Sequence, residues 1–267
     1  MNILSFNIRG CGSSIKRRKL RKMIEVDQPD MVFLQETKSQ AVRDGFIRSL
    51  WGADDIEWSA KDSIGASGGL IIMWKKGIIS PIFSFKTVGS LGISAVFNNQ
   101  VCFFVNVYSS CQLHGKRLLW LELVEWKNRA GPGWWCVGGD FNSIRMSNER
   151  QGSILGNRSN EMQEFNDFID LMDLVDVPVI GKRFTWSNKD GSSKSRLDRF
   201  LLSSDLIDEW RIVGQSSWAW DILDHTPIWF KARDVNWGPK PFRVNNCWFD
   251  VKDFQRFCGV VMAEYSG

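Results

Sequence analysis

The chain has 267 residues, of which 43% are hydrophobic, 13% aromatic and 24% charged, with a formal net charge of +4. That is enough apolar material to bury the core of one large domain or two small ones, and it excludes a globally disordered chain. The mild positive charge permits a polyanionic partner without requiring one, and no segment approaches the length of a membrane-spanning helix.

Six cysteines (Cys11, Cys102, Cys111, Cys136, Cys247 and Cys258) show no paired spacing, so neither a zinc site nor a disulfide framework is indicated. Cys102 and Cys136 sit inside apolar runs and are expected to act as small core residues. The start, Met1-Asn2-Ile3-Leu4-Ser5-Phe6-Asn7, lacks the basic leader and the apolar length of a signal peptide. A reducing, intracellular setting is the expectation.

In chain order, Asn2 to Phe6 predicts a strand that ends at Asn7 and passes into an Arg9-Gly10-Cys11-Gly12 loop. Leu20, Met23, Ile24 and Asp27 stand at three- and four-residue spacing, which predicts a helix from Ser14 to Asp27 closed by Pro29. Met31 to Leu34 predicts a buried strand ending at Gln35-Glu36, residues 40–50 a short helix, and Gly68 to Trp74 a further strand. Ile78 to Phe85, Ile93 to Phe97 and Val101 to Val107 suggest antiparallel neighbours, with Asn98-Asn99 as a tight turn and Tyr108 after the last. Lys116 to Arg129 predicts a helix with Leu119, Leu123 and Trp126 on one face, terminated by Gly131-Pro132-Gly133. The Trp134 strand follows, then a helix over Ser159 to Met172, and strands over Arg183 to Trp186, Asp198 to Leu202 and Pro227 to Phe230. Helices alternate with strands in part, and strands also run consecutively. The expectation is therefore an α/β fold with mixed sheets, two of them packed together. A composition change near Asn236 places the main domain at residues 1–236. Trp237-Gly238-Pro239-Lys240-Pro241 then opens a linker-like tail, residues 237–267, expected to be the truncated start of a following region.

The most informative stretch is Trp134-Trp135-Cys136-Val137-Gly138-Gly139-Asp140-Phe141-Asn142, an apolar run that stops at an acid and an amide. Strand residues two apart face the same side, so Asp140 and Asn142 are expected to share one cleft, the acid as general base towards a water and the amide as its holder. The same event recurs: Asn7, Glu36, Tyr108, Asp198 and Asp224-His225 also stand at or beside strand ends, where chemistry collects in α/β architecture. Glu36 offers hard oxygen to a divalent cation and Asn7 helps to place it, a donor set suited to Mg²⁺ or Mn²⁺ rather than zinc. His225 faces the phosphoryl oxygen, with a carboxylate such as Asp198 fixing its tautomer or its charge. Tyr108 donates to the phosphate or the leaving group. The run Lys16-Arg17-Arg18-Lys19-Leu20-Arg21-Lys22 is read as a solvated helix face; phosphate-backbone contact and nuclear import are the functional alternatives.

These residues resemble the endonuclease/exonuclease/phosphatase superfamily. They stand in Ser5-Phe6-Asn7-Ile8-Arg9-Gly10, Leu34-Gln35-Glu36-Thr37-Lys38, Val105-Asn106-Val107-Tyr108, Gly138-Gly139-Asp140-Phe141-Asn142, Ser195-Arg196-Leu197-Asp198-Arg199-Phe200 and Asp224-His225-Thr226-Pro227-Ile228, in order across roughly residues 1–231. Within it the chain is most similar to the apurinic-type endonuclease domain at the start of plant LINE-like (non-LTR) retrotransposon polyproteins. The tail Lys240-Pro241-Phe242-Arg243 with Cys247-Trp248-Phe249 looks like the segment that leads towards reverse transcriptase in those proteins. The resemblance implies a four-layer α/β/β/α sandwich of DNase I type and metal-dependent DNA nicking. It assigns Asp140, Asn142, His225, Tyr108 and Asp198 to catalysis, Asn7, Glu36 and Asp224 to the metal, and Thr185, Arg9 and Arg196 to phosphate or DNA. It also implies a Mg²⁺ cofactor with Mn²⁺ as substitute, no small organic cofactor, DNA as partner, no membrane association, a monomer and a nuclear location. The chain departs from the pattern at Leu223, where a Ser usually precedes the Asp-His pair, and at Ser110, where a Pro often follows the Tyr. The alternatives carried alongside are a phosphoinositide or other small-phosphoester hydrolase on the same fold, and a catalytically decayed remnant that only binds DNA.

Overall fold

The computed structural model describes residues 1–65, 68–152, 159–212, 214–217 and 223–231. The chain divides into units Met1–Arg233 and Asp234–Gly267. The second unit, and with it the expected linker and reverse-transcriptase-like tail, lies outside the described residues, as do Cys247 and Cys258.

The elements run β1 (Asn2–Asn7), α1 (Ser14–Asp27), β2 (Met31–Gln35), α2 (Asp44–Trp51), β3 (Ile56–Lys61), β4 (Leu70–Lys75), β5 (Ser80–Lys86), β6 (Ser90–Phe97), β7 (Gln100–Tyr108), α3 (Leu113–Ala130) and β8 (Trp134–Asp140). After these come β9 (Arg150–Gln151), α4 (Ser159–Leu171), β10 (Val175–Asp176), β11 (Val179–Gly181), β12 (Trp186–Ser187), β13 (Lys194–Ser195), β14 (Asp198–Leu202), α5 (Ser204–Glu209), β15 (Gln215–Ser217) and β16 (Ile228–Lys231).

Seven strands form one sheet in the order β11-β15-β16-β1-β2-β4-β3, and six form a second in the order β10-β14-β8-β7-β6-β5. Each is mixed: β1–β2 and β7–β8 are parallel pairs among antiparallel neighbours. The central strands are continuous apolar runs because both of their faces are covered. Ile3, Phe33, Ile72, Leu91, Phe104, Cys136 and Phe200 fill the space between the sheets. On the outer face of the first sheet, Leu4, Val32, Leu34 and Met73 pack on Leu20, Ile24 and Leu50 of α1 and α2. On the outer face of the second, Phe103, Val105 and Trp135 pack on Leu119, Leu123, Phe165 and Phe168 of α3 and α4. The result is the expected four layers, helices–sheet–sheet–helices.

The sheets hold strands that the sequence reading did not delimit, the short β9, β10, β11, β13 and β15 among them. β3 is an edge strand that the sequence does not announce, because every residue in it is only half-buried. The strand expected over Arg183 to Trp186 shrinks to β12, Trp186–Ser187, in a small third sheet with β13 and β9. Gly139 explains part of the Gly-Gly-Asp sequence: at φ +143° a Cβ there would lie 2.1 Å from the Val107 carbonyl oxygen, so no side chain fits between β7 and β8 at that point.

Candidate active site

Strand register assembles the site. Asn7 pairs with Gln35 across β1 and β2, Tyr108 with Asp140 across β7 and β8, and Asp140 with Asp198 across β8 and β14. The apolar runs thus end level with one another, and their polar terminal residues meet at one rim of the sandwich. Glu36 follows β2 in a left-handed turn, and His225 precedes β16 with a bridge to Trp186.

At the centre, Asp140 is 1% exposed and His225 3%. The His225 Nε2 lies 3.7 Å from Asp140 Oδ2, and its Nδ1 lies 3.0 Å from Asp198 Oδ2. Burial opposes charge on the imidazole, but Asp198 and Asp140 outweigh it and lift the His225 pKa to about 9. Burial also raises Asp140, with help from Asp198. His225, the Asn142 N–H and the Asn7 amide oppose this rise and leave Asp140 at about 6. At neutral pH the pair is a carboxylate facing an imidazolium.

On the other side of Asp140, Asn7 Nδ2 donates to Asp140 Oδ2 at 3.0 Å and approaches Glu36 Oε1 at 3.5 Å, while its Oδ1 accepts the Arg9 N–H at 3.1 Å. Asn7 therefore ties the carboxylates together with its nitrogen, its oxygen being engaged by the backbone. The Tyr108 hydroxyl donates to Glu36 Oε1 at 2.7 Å, and burial followed by this bond pushes its pKa well above the usual phenol value.

Asn142 joins the site by a different route from the one its spacing suggests. β8 ends at Asp140, and Asn142 sits beyond it at φ +49°, so the two-residue strand repeat does not apply. Its N–H caps Asp140 Oδ1 at 2.9 Å, and its Nδ2 donates to the Ser109 carbonyl at 2.8 Å.

The three residues assigned to phosphate or DNA separate. Arg9 reaches the crevice, contacting Asp224 with Nη1 and lying 3.8 Å from Glu36. Thr185 is buried below it: its Oγ1 accepts the N–H groups of Leu197 and Asp198 at 3.0 and 2.9 Å and so fixes the start of β14. Arg196 does not reach the crevice, which corrects the expectation; its guanidinium is drawn into the interior by Glu149 at 2.9 Å and Asp176 at 2.6 Å. Asp224, expected on the metal, has its Oδ2 engaged by Arg9 and by Trp186 Nε1 at 3.2 Å. His114 is exposed on α3. Leu223, in place of the usual Ser, packs against the apolar layer under α1.

Several supporting residues escape a reading of strand ends. Lys116, fully buried, donates to the Asn142 carbonyl and to Glu161, anchoring the catalytic turn to α3 and α4. Its signal was its spacing, three before Leu119 and seven before Leu123 on the buried face. Arg199, also fully buried, is held by Glu149 at 3.0 Å and Asp176 at 2.7 Å directly behind Asp198. Between the sheets, Asn106 donates to the Leu34 and Ile71 carbonyls at 3.0 and 2.9 Å and accepts from Gln35 at 2.6 Å, one layer below Glu36 and Tyr108. The basic helix start is also explained: Lys16 and Arg17 bond the carbonyls of Ile8, Arg9, Cys11 and Gly12, so their charges latch the loop after β1.

The donors suit a hard divalent cation. Asp140, Asp198 and His225 place potential ligand atoms within 4.8 Å of one another, although a proton on His225 competes for that position. The Glu36 carboxylate already draws cations, with Lys38 Nζ at 3.7 Å and Arg9 Nε at 3.8 Å. That is the behaviour expected of an oxygen site for Mg²⁺ or a similar ion.

Among solved structures, the AP endonuclease LMAP from Leishmania major superposes with a TM-score of 0.67 at 19% identity, over 86% of this chain and 86% of that one. The 3′ phosphatase NExo from Neisseria, bound to product DNA hairpin, gives 0.68 at 15% identity over 87% and 99%. The endonuclease domain of TRAS1, a telomere-specific non-LTR retrotransposon, gives 0.62 at 14% over 87% and 98%. At such identities the likeness is one of fold. No curated protein matches the chain significantly. The sequence itself matches the Endonuclease/Exonuclease/phosphatase family over residues 4–218; the chain belongs to that family, and its acidic–histidine cluster in this fold makes it a metal-dependent phosphoester hydrolase.

Proposed function

We propose that the chain is a Mg²⁺-dependent endonuclease that nicks DNA, the endonuclease domain of a LINE-like retroelement, with Mn²⁺ as an effective substitute. The observation that carries this reading is the pairing of Asp140 with His225 at 3.7 Å, beside the Tyr108–Glu36 contact at 2.7 Å. A water between these groups and a phosphodiester meets a base on one side and donors on the other.

Asp140, near its pKa of about 6, takes the water proton. Asn142, whose Nδ2 is fixed on Ser109, presents its amide oxygen to the same water. His225 remains protonated and donates to a non-bridging phosphoryl oxygen, with Asp198 holding the ring. Tyr108 has one O–H, which it gives to Glu36 Oε1; turned from there to the phosphate it supplies a further donor, and the departing 3′ oxygen is protonated from solvent. A divalent ion bound at Glu36 would neutralise charge gathering on the phosphoryl group. No side-chain nucleophile is required.

DNA as substrate is supported by the net charge of +4 and by Arg9 and Lys38 at the rim. The retroelement assignment is supported by the sequence motifs and the Lys240-Pro241-Phe242-Arg243 tail. A nuclear location follows from the proposed substrate.

Relaxation of supercoiled plasmid, with and without Mg²⁺, tests the reading. Chelation should abolish nicking, and Asp140→Ala or His225→Ala should lower it about 10²–10⁴-fold. Nicking that survives both substitutions or chelation would overturn it. Phosphate release from soluble inositol phosphates, with intact plasmid, would favour the small-phosphoester alternative instead. Salt-sensitive DNA binding without cleavage would favour the remnant.

A further inference from the structure

The two large sheets meet along one side of the sandwich in strands with a bare edge. β3 is the terminal strand of the first and β5 of the second, so among the described residues neither has a strand on its outer side. Lys61, the last residue of β3, bonds the carbonyls of Thr87 and Val88 just past β5, the latter at 2.7 Å, and staples one edge to the other. Beyond this staple the edges part around a groove of about 520 Å³. Residues 56–59 of β3 form one wall and residues 81–84 of β5 the other, over Trp74 and Ile93 of the inter-sheet core.

The walls differ in what they offer. On β5, Pro81 has no N–H to give and the register shifts between Pro81 and Phe83, a bulge that blunts this edge against pairing. Its contribution is apolar surface, with Ile82 55% and Phe83 43% exposed. β3, by contrast, keeps an unbroken ladder to β4 from Ile56 to Lys61, and its free edge is regular. Glu57 stands opposite Trp74 in that ladder and so faces the groove, while Trp58 turns to the layer under α1 and α2.

The groove is anionic on a chain whose net charge is +4. Its lining includes Asp44 and Glu57 and no Lys, Arg or His. Each carboxylate is oriented by an indole: Trp58 Nε1 donates to Asp44 Oδ1 at 2.8 Å and Trp74 Nε1 to Glu57 Oε2 at 2.9 Å. Such a lining repels a phosphate backbone and attracts cations. A bare, regular strand edge beside it calls for a peptide backbone.

We propose that this groove docks an extended protein segment in which basic and apolar side chains alternate, added as a further strand on β3. The basic side chains face inward, their heads at Glu57 and their aliphatic stems along Ile82 and Phe83. The apolar ones lie beside Trp58. The groove shares no residue with the catalytic crevice, and the inference stands apart from the reaction proposed above.

The probe is a labelled peptide of alternating Val and Lys, titrated with the full chain and followed by fluorescence anisotropy. It should bind saturably at micromolar concentration. Glu57→Gln, which keeps the acceptor for Trp74, should weaken binding about two- to fivefold, the scale of one cross-strand charge pair. Ile82→Arg, which puts bulk and like charge into the groove, should abolish it. The same peptide with alternate amides N-methylated, unable to pair as a strand, should not bind, nor should one of alternating Val and Glu. Circular dichroism confirms that each variant is folded. No binding of the Val-Lys peptide at millimolar concentration, unchanged affinity in Glu57→Gln, or equal binding of the N-methylated peptide would overturn the inference. A dimer in sedimentation that Ile82→Arg dissociates would assign the groove to a second copy of this chain and overturn it too.

Discussion

The Tyr108 hydroxyl reaches Glu36 Oε1 at 2.7 Å, joining the end of β7 in one sheet to the turn after β2 in the other. The bond leaves Glu36 Oε2 towards Lys38 and keeps the carboxylate in one orientation, so the phenol contributes before any substrate arrives. Tyr108→Phe removes only this donor. The expected result is a fall in the single-turnover nicking rate of about 10–100-fold, the scale of one or two lost charge-assisted hydrogen bonds, with no change in the circular dichroism spectrum.

The pH dependence of kcat/KM should be bell-shaped. Asp140 must be ionised, which sets the acid limb near 6, and His225 must be protonated, which sets the alkaline limb near 9. Asp198→Asn takes away the nearest charge favouring the imidazolium, so the alkaline limb should move to lower pH while the acid limb moves less. An unshifted alkaline limb in that variant would show that another group titrates there. Stability follows the same groups. His225, raised above its unfolded value, contributes fully below about 6.5 and loses that contribution as pH rises through about 9. Asp140, also raised, is a cost that sets in as pH climbs from about 4 to about 6.

Arg199 offers a stability test remote from the substrate. Its guanidinium is fully buried between Glu149 and Asp176. Arg199→Met fills similar space but strands two buried carboxylates, and urea unfolding should report a loss of about 3–5 kcal/mol. Arg196 and Arg145 still face these acids, so a loss at the lower end is the expected outcome.

Asn106→Leu tests the polar layer between the sheets. The change strips the Leu34 and Ile71 carbonyls of their Asn106 donor in a buried layer, and leaves the Gln35 amide with Ser5 Oγ at 3.0 Å as its remaining acceptor. Each unsatisfied group costs about 1–3 kcal/mol. Chemical denaturation should show a midpoint well below that of Arg199→Met.

Much of this site could be read in the sequence because its residues sit where hydrophobic runs stop. Asp140 after Val137, Glu36 after Leu34 and Tyr108 after Val107 are all legible as strand ends, and α1 was delimited at Ser14 and Asp27 by the spacing of Leu20, Met23 and Ile24. What stayed hidden depends on contacts distant in the chain. The two-residue strands β9, β12 and β13 depend on one another and on the Trp186 bridge to His225, and β3 has no fully buried face to reveal it. Lys116 has the charge of its exposed neighbour Arg117, and only its position relative to Leu119 marks it as interior. Arg196 has a phosphate-binding residue type and a suggestive motif, yet two acids from β10 and the turn before β9 claim it.

The crevice is divided between two leaves whose facing surfaces pack through side chains. Asn7 and Glu36 belong to one leaf, and Tyr108, Asp140 and Asp198 to the other. Turnover is therefore a gauge of how the leaves are aligned. A slip along the seam of an ångström or so would part Tyr108 from Glu36 while leaving every strand ladder intact. Under mild hydrostatic pressure or sub-denaturing urea, the protein should fall silent while its far-ultraviolet spectrum still looks native, and it should recover on release.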